Sequence, residues 1–201
     1  MKLFLAKHAE TEENLQGVLQ GWRHGTLSCK GIEQAQLLAR RFQDDSLDAI
    51  YSSDLARCYE TAAAVQKYHP TVPLTLERLL RARKLGDFEG KKKDQVAWTR
   101  LQGDVLTNRP DNGETLGEIV ANISRFFTML KDRHKNDSVM VIGHGEGIYI
   151  FQALILCKDM TDYLKEEGQQ NTGVSAFEIS PEGGHKSLMF NCTSHLSTFL
   201  V

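Results

Sequence analysis

Two histidines close apolar runs of this chain: Leu3-Phe4-Leu5-Ala6-Lys7-His8 near the start and Val139-Met140-Val141-Ile142-Gly143-His144 near the end. Each run reads as a buried strand that stops at its histidine. In an open α/β sheet, ligand sites form beyond the carboxyl ends of parallel strands, so the two imidazoles can converge on one pocket. A third apolar run ends in Ser52-Ser53-Asp54-Leu55-Ala56-Arg57. It places an arginine fork near the first turn of a following helix, whose positive end faces the same edge. Such a set suits chemistry on a phosphate: a neutral imidazole nitrogen aimed at phosphorus, with cations neutralising the phosphoryl oxygens.

A lone histidine after a strand is ordinarily a hydrogen-bonded structural residue, and the flanking residues reverse that reading. His8 is followed by Ala9-Glu10-Thr11-Glu12-Glu13-Asn14 and then Gln20-Gly21; Arg57 is followed one turn later by Thr61-Ala62. Further along come Leu27 to Gly31 with Gln34-Ala35, Leu85 to Gly90, Asn112-Gly113-Glu114-Thr115, Gly143-His144-Gly145 and Asn191 to Leu196. In this order the segments resemble the histidine phosphatase superfamily, its phosphoglycerate mutase-like branch 1, over nearly the whole chain. The family's opening motif, Arg-His-Gly-Glu-Thr with Asn three residues on, stands as Lys7-His8-Ala9-Glu10-Thr11 with Asn14.

The resemblance implies roles residue by residue. His8 is the nucleophile, passing through a phosphohistidine that water hydrolyses, and Arg57 binds two phosphoryl oxygens. His144 donates a hydrogen bond to the phosphoryl group, and Lys7 supplies charge beside it. Asn14, Gln20, Gly21, Arg81 and Gly145 line the substrate site. No metal or other cofactor is expected, and the partner is a small phosphorylated metabolite or inorganic phosphate.

Three positions depart from the family pattern. Lys7 keeps the positive charge of the usual arginine but loses its planar fork. Ala9 replaces glycine, which the fold tolerates where the backbone does not need positive φ. Ala82 stands where the family carries the glutamate that protonates the leaving alkoxide. General acid catalysis is worth roughly 10²- to 10⁴-fold, so its loss should slow alkyl phosphates far more than phenyl phosphates. Asp87, Glu89 and Glu146 are the carboxylates that could stand in. Arg81, Arg83, Lys84 and Lys91 to Lys93 crowd the expected rim and read either as a solvated loop or as a second anion site for a multiply charged metabolite.

Positioning these groups requires parallel strands joined by covering helices. Apolar runs alternating with helical periodicity predict a three-layer α/β/α sandwich with a mostly parallel central sheet, phosphoglycerate mutase-like. Strands are expected over Leu3–Ala6, Ala49–Ser52, Leu74–Leu76, Val139–Ile142, Ser175–Ile179 and Leu188–Asn191. Ser28–Gln43 reads as a helix capped by Ser28, with a stripe of Ile32, Ala35, Leu38, Ala39 and Phe42. Asp54 is the expected cap of the next, through about Lys67, and Thr115 to about Lys131 is a third, with Leu116, Ile119, Val120, Ile123, Phe126, Phe127 and Leu130 at core spacing. The expectation is a single domain over 1–201 with a partly helical cap over 86–113, where Arg109-Pro110-Asp111-Asn112-Gly113 signals a turn.

Composition sets outer bounds. The 201 residues suffice for one substantial core, and 24 basic against 26 acidic residues, net −2, give no general reason to expect nucleic acid or an anionic membrane. The first apolar run is too short for a secretory signal and no later run spans a bilayer, so a cytoplasmic protein is expected. Cys29, Cys58, Cys157 and Cys192 form no close pairs and read as reduced thiols in packing. The expected activity is metal-independent hydrolysis of small phosphate monoesters. The competing readings are a pseudophosphatase that binds a phospholigand or protein and, behind it, a phosphoglycerate mutase. Oligomeric state is not legible.

Overall fold

The computed structural model describes residues 1–96, 106–159 and 168–200, the last three by backbone alone. Six strands form one sheet in the order β3-β2-β4-β1-β5-β6: β1 (Lys2–Lys7), β2 (Ala49–Ser52), β3 (Leu74–Leu76), β4 (Ser138–Gly143), β5 (Val174–Ile179) and β6 (His185–Cys192). Strands β3, β2, β4 and β1 run parallel, and β5 and β6 add antiparallel at one side. The sheet is therefore mixed but mostly parallel.

Because successive strand residues face opposite sides, β1 feeds two cores. Leu3 and Leu5 join Val139, Val141 and Tyr51 against Ile119, Ile123, Phe126 and Leu130 of α4 (Leu116–Arg133) and Ile148 and Phe151 of α5 (Gly145–Leu156). Phe4 and Ala6 join Ile50, Met140 and Ile142 against Leu38, Ala39 and Phe42 of α2 (Cys29–Phe42) and Cys58, Ala62 and Val65 of α3 (Ala56–Gln66). These two cores make the three layers. A single-turn helix α1 (Glu12–Leu15) follows the β1 loop, capped by Thr11.

Two local expectations are corrected. Ile32 does not face the core and is 49 % exposed. Its place on the inner face goes to Gly31 and Gln34, because that face packs on the loop after His8: a Cβ at Gly31 would lie 1.9 Å from the Glu10 carbonyl. Asp54 caps nothing: α3 has Leu55 at its N-cap without a side-chain hydrogen bond, and Asp54 instead takes both branches of Arg81. Of the 86–113 cap, Gly86–Phe88 and Lys93–Gln95 are 3₁₀ turns, and positions 97–105 lie outside the described residues.

Candidate active site

Strands β1 and β4 lie side by side in parallel register, with Lys7 opposite Gly143, so His8 and His144 leave the sheet as neighbours. Their rings stand 5.4 Å apart between centroids. The His8 backbone is pinned from both directions: its N–H donates to the Gly143 carbonyl (3.0 Å), and its carbonyl accepts from Asn171 Nδ2 (2.9 Å). Ala9 N–H donates to Thr61 Oγ1 at 3.0 Å. Ala9 is not among the residues with positive φ, which is why alanine fits there.

His8 is buried, 4 % exposed, and its Nδ1 lies 2.7 Å from the Ala9 carbonyl. A carbonyl only accepts, so Nδ1 carries the hydrogen and the Nε2 lone pair is left available. Burial first, then the charges of Arg57 and Lys7, holds the His8 pKa well below the ordinary histidine value, outweighing the opposite pull of the Ala9 carbonyl. The imidazole is therefore neutral at pH 7.

Arg57, 2 % exposed, enters from the first turn of α3. Its Nη1 donates to the carbonyls of Arg23 and His24, and its Nη2 to the Gly21 carbonyl (3.0 Å) and His144 Nδ1 (3.1 Å). No ion pair of Arg57 occurs among the described residues, and its buried Nε has no acceptor among them. A buried orphan donor of this kind is what a phosphoryl oxygen would satisfy. Lys7 Nζ donates to the Gln169 carbonyl (3.0 Å), and burial, with Arg57 second, lowers its pKa.

His144 has hydrogen-bond partners on both ring nitrogens. Because Arg57 donates to Nδ1, the hydrogen sits on Nε2, which donates to Ser53 Oγ at 3.0 Å. Burial, then Arg57, His8 and Lys7, depresses its pKa well below the ordinary value. In this arrangement the Nε2 hydrogen is directed at Ser53 Oγ. Cys58 Sγ lies 3.4 Å from the same nitrogen, and burial pushes that thiol up to about 12, so it stays protonated.

The other expected residues divide between lining and scaffolding. Asn14 Oδ1 accepts from Thr11 N in a capping box, which leaves its Nδ2 as the donor a ligand could meet. Buried Gln20 donates from Nε2 to Thr11 Oγ1 at 2.9 Å. Gly21 has φ +52°, and a Cβ there would sit 2.2 Å from Glu89 Oε1. Gly145 opens α5 with its Cβ direction 3.9 Å from Lys7 Cδ. Ala82 offers only its carbonyl, which accepts from Trp22 Nε1 at 2.9 Å.

The basic rim does not form one patch. Arg81 pairs with Asp54 at two points (2.7 and 2.6 Å) and stacks 4.6 Å over Trp22. Lys84 lies 5.5 Å from the same ring, Arg83 pairs with Glu146, and Lys91 to Lys93 run beside 17–19 through backbone bonds. Among the stand-in carboxylates, Glu89 clasps Trp22 N and Leu85 N, and exposed Asp87 accepts from Asn112. Ser53, Thr61, Gln169 and Asn171 complete the site without having been anticipated as contacts; only Ser53 and Thr61 carried a signal, as members of the Ser52 to Ala62 string.

The match to known proteins follows this geometry. Residues 3–192 fit the model of the histidine phosphatase superfamily, branch 1. This chain belongs to that family. It is a phosphoric monoester hydrolase, similar to the "Probable phosphatase" of Schizosaccharomyces pombe, with 30 % identity covering 98 % of this chain and 96 % of the yeast protein. The phosphatase also matches Bacillus stearothermophilus YhfR with TM-score 0.87 and 26 % identity, covering 96 % of this chain and 98 % of that one. A histidine-to-alanine variant of Entamoeba histolytica phosphoserine phosphatase in complex with phosphoserine matches with TM-score 0.83 and 27 % identity, covering 97 % and 98 %. No helix among the described residues is long and apolar enough to cross a membrane.

Proposed function

We propose that the phosphatase hydrolyses small phosphate monoesters without a metal, through a phosphohistidine on Nε2 of His8. The observation that carries this reading is the tautomer: the Ala9 carbonyl holds the Nδ1 hydrogen, leaving a neutral nucleophilic nitrogen beside Arg57, whose buried Nε has no acceptor among the described residues. His8 Nε2 forms a bond to phosphorus as the ester P–O bond breaks, with Arg57 and Lys7 stabilising the phosphoryl oxygens. Water then attacks phosphorus, loses a proton, and returns His8 and inorganic phosphate. Ala82 cannot supply the proton of the leaving alkoxide, and in this reading water supplies it. The Entamoeba complex supports a small phosphorylated metabolite as substrate, since phosphoserine is of that class.

The test is phosphate release from p-nitrophenyl phosphate between pH 5 and 7.5 in the presence of EDTA, alongside His8→Ala. Turnover that persists in EDTA and disappears with His8→Ala is expected, together with an alkali-stable, acid-labile phosphoenzyme in quenched samples. Turnover surviving His8→Ala would sink the phosphohistidine route. Ala82 favours one second reading, a phospholigand-binding module. Phosphate binding with no turnover in this chain or in Ala82→Glu would establish it.

A further inference from the structure

The loop before β5, positions 168–173, grips the end of β1 through three residues. The Gln169 carbonyl accepts from Lys7 Nζ (3.0 Å), Asn171 Nδ2 donates to the His8 carbonyl (2.9 Å), and Thr172 N donates to the Lys7 carbonyl (3.0 Å). Asn171 Nδ2 also lies 3.4 Å from Asn14 Oδ1, so one amide touches both the nucleophile's backbone and a side chain expected to line the substrate site.

Local preference does not hold this loop in place. Thr172 is fully buried with φ +55°, a left-handed conformation that a β-branched residue adopts only where its surroundings impose it. Besides the bond to Lys7, the side chain of Thr172 is held from outside the pocket. His195, in the 3₁₀ turn Ser194–Leu200 after β6, places Nε2 3.1 Å from Thr172 Oγ1, and its Nδ1 lies 3.0 Å from Nη1 of Arg41 in the last turn of α2. A guanidinium only donates, so Nδ1 accepts, the ring hydrogen sits on Nε2, and Nε2 donates to the threonine oxygen. That hydroxyl in turn donates to the Asn171 carbonyl (2.7 Å). Every bond of the series runs one way, from Arg41 through His195 and Thr172 to Asn171. The direction requires a neutral imidazole, and burial, then Arg41, pushes the His195 pKa down to about 4. Arg41 Nη1 also donates to the Cys192 carbonyl (3.0 Å), which anchors the series at the end of β6.

We infer that His195 is a positioning residue for phosphoryl transfer: by donating to Thr172 it holds the left-handed turn that sets Asn171 on the His8 carbonyl, and so fixes how Nε2 of His8 meets phosphorus. This role rests on the phosphohistidine reading above. Phosphate binding depends on it much less, because Arg57 hangs on the carbonyls of Gly21, Arg23 and His24 and on His144, none of them in this loop. A misplacement of about 1 Å can cost roughly 10²-fold in rate, so the effect should fall on kcat.

The test measures p-nitrophenyl phosphate turnover and its inhibition by inorganic phosphate for the unsubstituted chain, His195→Phe and His195→Gln. Phenylalanine fills the space of the ring and offers neither nitrogen, whereas a glutamine amide can accept from Arg41 and donate to Thr172. His195→Phe should lower kcat by about ten- to a hundredfold and move the Ki of inorganic phosphate by less than about threefold, with His195→Gln recovering most of the loss. Thr172→Val, which removes only the hydroxyl, should reproduce the fall in kcat, and Thr172→Ser should not. Unchanged kcat in His195→Phe, a glutamine variant as slow as the phenylalanine one, or an equal loss of phosphate binding overturns the inference; the last would make His195 a structural residue. Where His195→Phe does not fold, the Thr172 pair decides, and equal rates for valine and serine overturn it. Inactivity of the unsubstituted chain, or turnover surviving His8→Ala, would refute the phosphohistidine reading instead. The hold on His8 is then judged by the ¹⁵N resonances of its ring, assigned by their loss in His8→Ala. They should shift in His195→Phe and stay in place in His195→Gln, and no shift in His195→Phe overturns the role.

Discussion

The two ends of the parallel strands treat charge in opposite ways. At the amino ends, several charged or polar groups meet complementary ones: His134 Nδ1 lies 2.8 Å from Asp137 Oδ2, His134 Nε2 is 2.9 Å from Tyr51 Oη, and Asp48 accepts from Ser138 N at 2.8 Å. At the carboxyl ends, Lys7, His8, Arg57 and His144 gather with no ion pair among the described residues, and the guanidinium spends itself on carbonyls and an imidazole. One end pairs His134 with a carboxylate, whereas the other is a positive pocket that an anion would complete. The pocket's polar groups are arranged for a ligand's charge at the expense of the fold's own stability.

The sharpest way to break this contrast is to remove the nucleophile. His8→Ala should lower p-nitrophenyl phosphate turnover by at least about 10⁴-fold, as nucleophile removal does elsewhere, while calorimetry still shows phosphate binding. Next in size, Ala82→Glu should raise turnover of alkyl phosphates by roughly 10²- to 10⁴-fold and of p-nitrophenyl phosphate far less. An equal gain on both substrates would show that the defect is not the missing acid.

Acid should expose the carboxyl end as the weak one. His8 and His144 are held neutral in the fold, but the unfolded chain protonates them as pH falls through about 6.5. The unfolded state then binds more protons, so their contribution is fully present above about pH 6.5 and is lost below it. Two protons give a limiting slope of about 2.7 kcal/mol per pH unit. Urea unfolding at pH 7.5, 6.5 and 5.5 measures this, and inorganic phosphate should offset it by about 2.7 kcal/mol at a hundred times its Kd. The smallest effect belongs to the amino end. Asp137→Asn, removing a partly exposed pair, should cost less than about 1 kcal/mol and leave kcat within about twofold.

Legibility followed the range of the interaction. The strand runs ending at His8 and His144, the Ser28 cap and the helix beginning at Thr115 depend on residues a few positions apart, and the structure carries each of them. Helix α5 is different, because Gly147, Ile148, Ile150, Phe151, Gln152, Ala153 and Ile155 are all buried and leave no polar face to give a period. Ile32 follows the periodicity of α2 yet faces solvent, since the inner surface must admit the Glu10 backbone. The use of Asp54 and Arg81 was hidden for a similar reason. Each satisfies a local rule, cap or rim charge, but they are 27 positions apart and meet only when the fold brings Arg81 to the turn before α3.

The amino-acid sequence by itself determined the layer architecture, the family and the identity of His8, Arg57 and His144, because strand runs, caps and motif strings are written in neighbouring residues. Only the tertiary structure decided which nitrogen of His8 is free, that His144 hydrogen-bonds to Ser53, that Asn171 and Thr61 fix the His8 loop, and that Arg83 faces Glu146. Those outcomes depend on burial and on hydrogen bonds between groups far apart in the chain. Such contacts exist only once the sheet has brought its carboxyl ends together.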